Sequence, residues 1–147
     1  MTSKWMEIAI SQAKEAGQRN EVPVGAVIVH QGKVLAASGN RVEELADPTA
    51  HAEMLVIREA TRLLNTPRLI DCEIFVTLEP CPMCATALSF ARVSKIYFGA
   101  FDPKGGGIDH GPRIFDQPTC HHRPHVFGGM SEQACAALLT DFFTERR

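Results

Sequence analysis

Long apolar runs are missing from this chain of 147 residues. No stretch approaches the roughly 18 consecutive apolar residues that cross a bilayer, and no charged-then-apolar leader opens it. The expectation is a cytoplasmic protein, neither membrane-spanning nor exported by a standard signal. Excess basic charge is missing too, since the formal net charge is −2. That excludes a broad basic footprint for sequence-independent nucleic-acid binding, so any nucleic-acid partner must be recognised locally and by geometry. Internal repeats, low-complexity tracts and linkers are absent, and the length suits one domain over 1–147 with a core of its own. Cysteine is present but odd in number, five, with two of them spaced as CxxC. Without an export signal, that favours metal or redox chemistry over a disulfide framework.

What is present alternates between helix and strand periods. Residues 3–17 predict a helix with Ser3 as N-cap, Gly17 at its close, and Trp5, Ile8, Ala9, Ala13 and Ala16 on one face. Apolar runs at 24–29 and 34–37, either side of His30-Gln31-Gly32-Lys33, predict a β-hairpin. Pro23 and Gly25 mark an irregular strand start where other backbone comes close, and Asn40 reads as a turn residue. A helix is predicted over 47–65, capped by Thr49 and stopped by Pro67. Strand 74–78, helix 83–92 and strand 96–100 form a βαβ unit with parallel strands. An irregular stretch then runs from Gly105-Gly106-Gly107 to about His125, long enough to suggest function. Residues 126 and 127 predict a last short strand, and Ser131 caps a final helix whose stripe holds Ala134, Leu138 and Phe142. The class is α/β, one mixed sheet with helices on its faces.

One constellation carries chemistry: His51-Ala52-Glu53, then Glu79-Pro80-Cys81-Pro82-Met83-Cys84. Side chains two apart do not share a face in mid-helix, but in a first turn both lean beyond the helix end and can converge. Cys81 and Cys84, three apart behind a proline, suit another helix start, where the dipole favours thiolate. His51, Cys81 and Cys84 then supply three zinc ligands, the fourth position is left for water, and Glu53 is free for proton transfer. Other readings stay open. A CxxC alone fits redox work, though His51 and Glu53 then have no task. A closed structural zinc site needs a fourth ligand from among Cys72, Cys120, His121, His122 and His125. Cys72 and Cys135 otherwise read as buried cysteines.

H-x-E followed by P-C-x-x-C is the zinc deaminase signature. The chain resembles the bacterial tRNA adenosine deaminases that convert the wobble adenosine of an anticodon to inosine. The likeness covers nearly the whole chain. It includes Glu21-Val22-Pro23-Val24-Gly25-Ala26-Val27, Gly39-Asn40-Arg41, Asp47-Pro48-Thr49-Ala50-His51-Ala52-Glu53, Val76-Thr77-Leu78-Glu79-Pro80-Cys81 and Asp141-Phe142-Phe143. The resemblance implies a cytidine-deaminase-like, three-layer α/β/α fold around a mixed five-stranded sheet, and a homodimer. It implies one Zn2+ per chain on His51, Cys81 and Cys84, hydroxide attack at C6 of an extruded adenine, and Glu53 as proton shuttle. It places Asn40 and Ala50 against the substrate, Phe142 and Phe143 along the nucleotide groove, and Asp102 and Lys104 on the sugar-phosphate backbone of the anticodon stem-loop. One region departs: many members carry a Gly-Ala-rich segment with a Leu-Met pair where this chain reads Gly105-Gly106-Gly107-Ile108-Asp109-His110-Gly111-Pro112-Arg113. The Cys120-His121-His122 cluster is not expected to hold a second metal. A free nucleobase or nucleoside as substrate, and a non-catalytic zinc-stabilised nucleic-acid binding module, are the competing functions; the second leaves Glu53 without a role.

Overall fold

The structure is a computed structural model that describes residues 3–146. The Ser3 hydroxyl accepts the Trp5 and Met6 N–H groups and starts α1 (Lys4–Gln18), as expected. Gly17 does not end that helix; Arg19 caps it, and the turn is made by Asn20 at φ 67°. β1 (Gly25–His30) and β2 (Lys33–Gly39) pair across Gln31 and Gly32, whose φ values of 53° and 74° suit a two-residue hairpin turn. A helix of four residues, α2 (Val42–Leu45), follows; it is too short to leave a periodic signal.

The next helix, α3 (Ala52–Leu64), starts later than its sequence predicts. Thr49 is not its cap. Both the N–H and the hydroxyl of Thr49 go to Asp47 Oδ1, at 2.8 and 2.7 Å, so the segment closes its own turn and the N-cap falls on His51. β3 (Cys72–Leu78), α4 (Pro82–Ala91) and β4 (Lys95–Ala100) make the expected unit with parallel strands. A single 3-10 turn at Ile114–Asp116 punctuates the long irregular stretch before β5 (His125–Gly128) and α5 (Glu132–Glu145). Ser131 does stand at the N-cap of α5, but at φ 55° and with no side-chain bond to the helix. The stripe of α5 holds Leu138 and Phe142, both half-buried, as expected, but its fully buried member is Cys135, and Ala134 is exposed.

Alternation decides the layers. Ala26, Ile28, Ile74, Val76, Ile96 and Phe98 bury against α3 and α4; Val27, Val29 and Phe75 bury against α1, with Cys135 of α5 in the same cluster. A sheet apolar on both faces needs cover on both, and the result is α/β/α with strand order β2-β1-β3-β4-β5. β1 is antiparallel to β2 and β3, while β3, β4 and β5 run parallel. Gly25 and Gly39 face each other in the hairpin. A Cβ on Gly25 would meet the backbone of Ala9 and Ala13, and one on Gly39 would lie 2.6 Å from the Gln12 carbonyl oxygen. The backbone that Gly25 admits is therefore α1. This topology gathers the start of β1 and the ends of β2, β3 and β4 at one edge of the sheet. Ligand sites of open α/β sheets lie beyond the carboxyl ends of the strands.

Candidate metal centre and its cavity

Two helix starts meet at that edge. His51 is the N-cap of α3, yet its side chain makes no capping bond. Asn40, at the end of β2, supplies the acceptor instead: its Oδ1 takes the Ala52 N–H at 2.7 Å. The imidazole is thereby free to point elsewhere. Cys81 is the N-cap of α4, Pro82 occupies the first helical position, and Cys84 follows one turn on. His51 Nδ1 lies 3.6 Å from Cys81 Sγ and 3.5 Å from Cys84 Sγ. All three donor atoms fall within 4.8 Å of one another, the only such group among the described residues.

The donor set fits one zinc ion. Its nitrogen–sulfur separations match the edges of a tetrahedron with bonds of about 2.0–2.3 Å. Hydrogen bonding from Cys84, aided by His51 and opposed by burial, brings the Cys81 thiol down to about 4. Cys84 moves up, because its S–H serves that thiolate and is itself buried. The His51 imidazole is raised by its bond to Cys81. One thiolate already sits between two helix N-termini whose free N–H groups favour negative charge, and a divalent cation there would displace the protons that remain. Glu53, on the first turn of α3, is 4% exposed. Burial lifts its carboxyl to about 7.

The trio opens on a cavity of about 610 Å³, a size typical of small-molecule sites. Asn40, His51, Glu53, Cys81, Asp102 and Phe142 line it. The structure therefore brings together six of the ten residues singled out in the sequence, and Cys84 completes the ligand set from beneath. Three others lie apart from the lining. Ala50 is fully buried, with its carbonyl taken by the Arg41 N–H at 3.0 Å. Lys104 is exposed on the adjoining loop. Phe143 is 47% exposed and stands edge-on to Phe142. Sequence reasoning missed Arg146, which also lines the cavity; its guanidinium lies 3.5 Å over the Phe142 ring and donates to Asn20 Oδ1 at 2.9 Å. No motif signals that pairing, which spans most of the chain. Two members of the Cys120 cluster serve the fold: the His122 carbonyl accepts from Cys120 Sγ at 3.2 Å and from Ser89 Oγ at 2.7 Å, and the His122 ring donates to the Val93 carbonyl at 2.7 Å, while His121 is exposed.

A five-stranded mixed sheet with a His-Cys-Cys trio and a neighbouring glutamate at its edge defines a zinc-dependent deaminase. The family model "Cytidine and deoxycytidylate deaminase zinc-binding region" matches residues 1–100. The chain is 54% identical to the tRNA-specific adenosine deaminase of Agrobacterium fabrum, over 97% of this chain and 94% of that one. It is 48% identical to the tRNA-specific adenosine deaminase of Aquifex aeolicus, with the same coverage. A solved structure from biochemical and structural studies of A-to-I editing by tRNA:A34 deaminases superposes with a TM-score of 0.91 at 54% identity, covering 92% of this chain and 98% of that one. The chain belongs to the cytidine and deoxycytidylate deaminase zinc-binding family and, within it, to the tRNA-specific adenosine deaminases.

Proposed function

We propose that the chain, as a single domain over 1–147, hydrolyses the wobble adenosine of a tRNA anticodon loop to inosine and ammonia. The observation that carries this is the placing of a buried carboxyl group, Glu53, beside three metal donors at the wall of the cavity; three protein ligands would leave a tetrahedral ion one position for water. Zinc held by His51, Cys81 and Cys84 would supply Lewis acidity, which would make water a usable nucleophile near neutral pH. Glu53 would take a proton from the attacking water and return it to a nitrogen of the purine ring, then carry the proton of the new C6 hydroxyl to the amino group, which leaves as ammonia. Its burial suits both halves of the shuttle, because a carboxyl lifted towards neutrality both accepts and releases a proton readily.

The remaining roles concern recognition. With Oδ1 engaged by Ala52, Asn40 has its amide N–H groups to offer an acceptor on the base. Phe142 offers the cavity an aromatic face on which an extruded base can stack. Asp102 stands at the cavity wall, and Lys104 and Phe143 extend the contact onto the sugar-phosphate backbone and the neighbouring nucleotides. Ala50 acts through the backbone that it fixes between Arg41 and His51. Anticodon loops suit such a pocket because their bases are already partly unstacked.

We place the enzyme in the cytoplasm as a homodimer. Five unpaired thiols fit a reducing compartment. No helix among the described residues is long and apolar enough to cross a membrane. Phe90, 75% exposed, and Ile70, 55% exposed, are apolar groups that a second copy would cover. The function is tested by incubating zinc-loaded protein with an anticodon stem-loop bearing a wobble adenosine, in parallel with free adenine, guanine and cytidine. Inosine in the RNA is the expected product. Ammonia from a free base with no inosine in the RNA would move the enzyme to the nucleobase class.

A further inference from the structure

Glu79 is buried to 1% and takes no part in the chemistry above. It stands two residues before Cys81, and its own N–H is fixed to the Ala100 carbonyl at the end of β4, at 2.8 Å. Its carboxylate collects an unusual number of donors, all from one loop. Oε1 accepts the Asp102 N–H at 3.0 Å and His110 Nδ1 at 2.8 Å. Oε2 accepts the N–H groups of Ile108, Asp109 and His110 at 3.2, 2.9 and 3.1 Å. The loop is thus wrapped around a buried anionic side chain, with Ile108 as its anchor in the apolar core. Charge-assisted bonds to consecutive backbone N–H groups form an anion nest.

The same segment holds the loop a second way. Gly107 donates its N–H to the Pro80 carbonyl at 2.8 Å, and a Cβ on Gly107 would lie 2.6 Å from Pro82 N. Within the loop, Asp102 accepts the Gly106 N–H on its carbonyl and the Gly105 N–H on Oδ1, at 2.8 and 2.9 Å. Asp102 and Gly105 are the loop residues that line the cavity. One short run, Glu79-Pro80-Cys81, therefore sets both a metal donor and the wall above it.

We propose that Glu79 is a positioning residue for the substrate: its buried carboxylate clamps the 102–110 loop in the shape that receives the RNA beside the metal. The inference rests on the tRNA reading above and adds to it the group that sets the loop. Two variants attack the clamp from opposite sides. Glu79→Gln keeps one acceptor oxygen and turns the other into a donor facing N–H groups. Gly106→Ala leaves Glu79 intact but places a methyl against its carboxylate and 2.6 Å from the Asp102 carbonyl oxygen, so the loop must lift.

The test measures zinc per chain, steady-state kinetics on the stem-loop, and hydrogen exchange of the Asp102, Ile108, Asp109 and His110 amides. Loss of charge-assisted bonds is expected to raise KM for the stem-loop about tenfold or more. It should leave kcat within a factor of about three, because the bond-breaking groups are untouched. Zinc should stay at one per chain, and the four amides, slow in the parent, should exchange fast in both variants. An unchanged KM, slow amides in both variants, or a fall in zinc or kcat at constant KM would overturn the proposal. If Glu79→Gln yields no soluble protein, Gly106→Ala decides by the same readouts. A parent protein that forms no inosine in the stem-loop sinks the tRNA reading instead, and the amide exchange then still decides whether the clamp exists.

Discussion

Asn40 can serve two tasks with one amide group. Its oxygen takes the Ala52 N–H at the start of α3, and we propose that its nitrogen meets the base. Substitutions can separate the two. Asn40→Asp keeps an acceptor at a helix N-terminus, where negative charge is welcome, and loses the donor. Its urea-unfolding free energy is expected to stay close to the parent's while inosine formation falls at least about tenfold, the cost of one unpaired polar contact. Asn40→Ala removes both groups and is expected to lose about 1 kcal/mol of stability as well. Equal stability loss in the two variants would contradict the capping role. Glu53→Gln probes the shuttle. It preserves shape and the three ligands, so metal analysis should still give one zinc per chain, while kcat drops by about two to four orders of magnitude. Retained activity would return Glu53 to a structural role.

At the scale of elements, the site depends on where two helices begin. Both starts carry a ligand at the N-cap whose side chain makes no capping bond; at α3 the Asn40 amide oxygen takes the first helical N–H, and at α4 Pro82 has no N–H there to satisfy. The pattern of ligands was legible because zinc demands particular residue types at particular spacings, and the strands because β-branched runs alternate. The start of α3 was not legible. Thr49 has the chemistry of a cap, and only the Asp47 carboxylate beside it shows why it is diverted. Ala134 was misplaced on the α5 stripe for a similar reason: the buried position is Cys135, which lies against Gly99 of β4, a contact far apart in sequence. Gly25, by contrast, announced a close approach, and α1 provides it. Gly25→Ala drives a methyl into the backbone of Ala9 and Ala13. It is expected to cost about 1–3 kcal/mol or more in chemical denaturation; a neutral result would mean that α1 does not pack as described.

For the whole molecule, charge and metal set the behaviour. A net charge of −2 cannot hold RNA by a broad electrostatic field. Affinity for the stem-loop should therefore fall only gently with salt, with a log–log slope shallower than about −3, equivalent to roughly four phosphates on a single strand. A steeper slope in a salt titration would demand a basic surface beyond the cavity. Zinc binds the folded trio and not the unfolded chain, so chelation is expected to lower the thermal midpoint together with activity, and added zinc to restore both. Glu79 and Arg146 mark the limit of what the sequence made legible. Each is an ordinary charged residue until the fold brings its partners to it, from Asp102 and His110 in one case and from Asn20 and Phe142 in the other.

We propose that one buried carboxyl group beside a His-Cys-Cys metal site acts on a single adenosine of a tRNA loop. It is tested most directly by incubating the zinc-loaded protein with a stem-loop that carries adenosines at the wobble position and elsewhere in the loop, then locating inosine by sequencing. Conversion of the wobble adenosine alone, abolished by Glu53→Gln, is the expected result. Inosine scattered among the loop adenosines, or none at all from fully zinc-loaded protein, would contradict it.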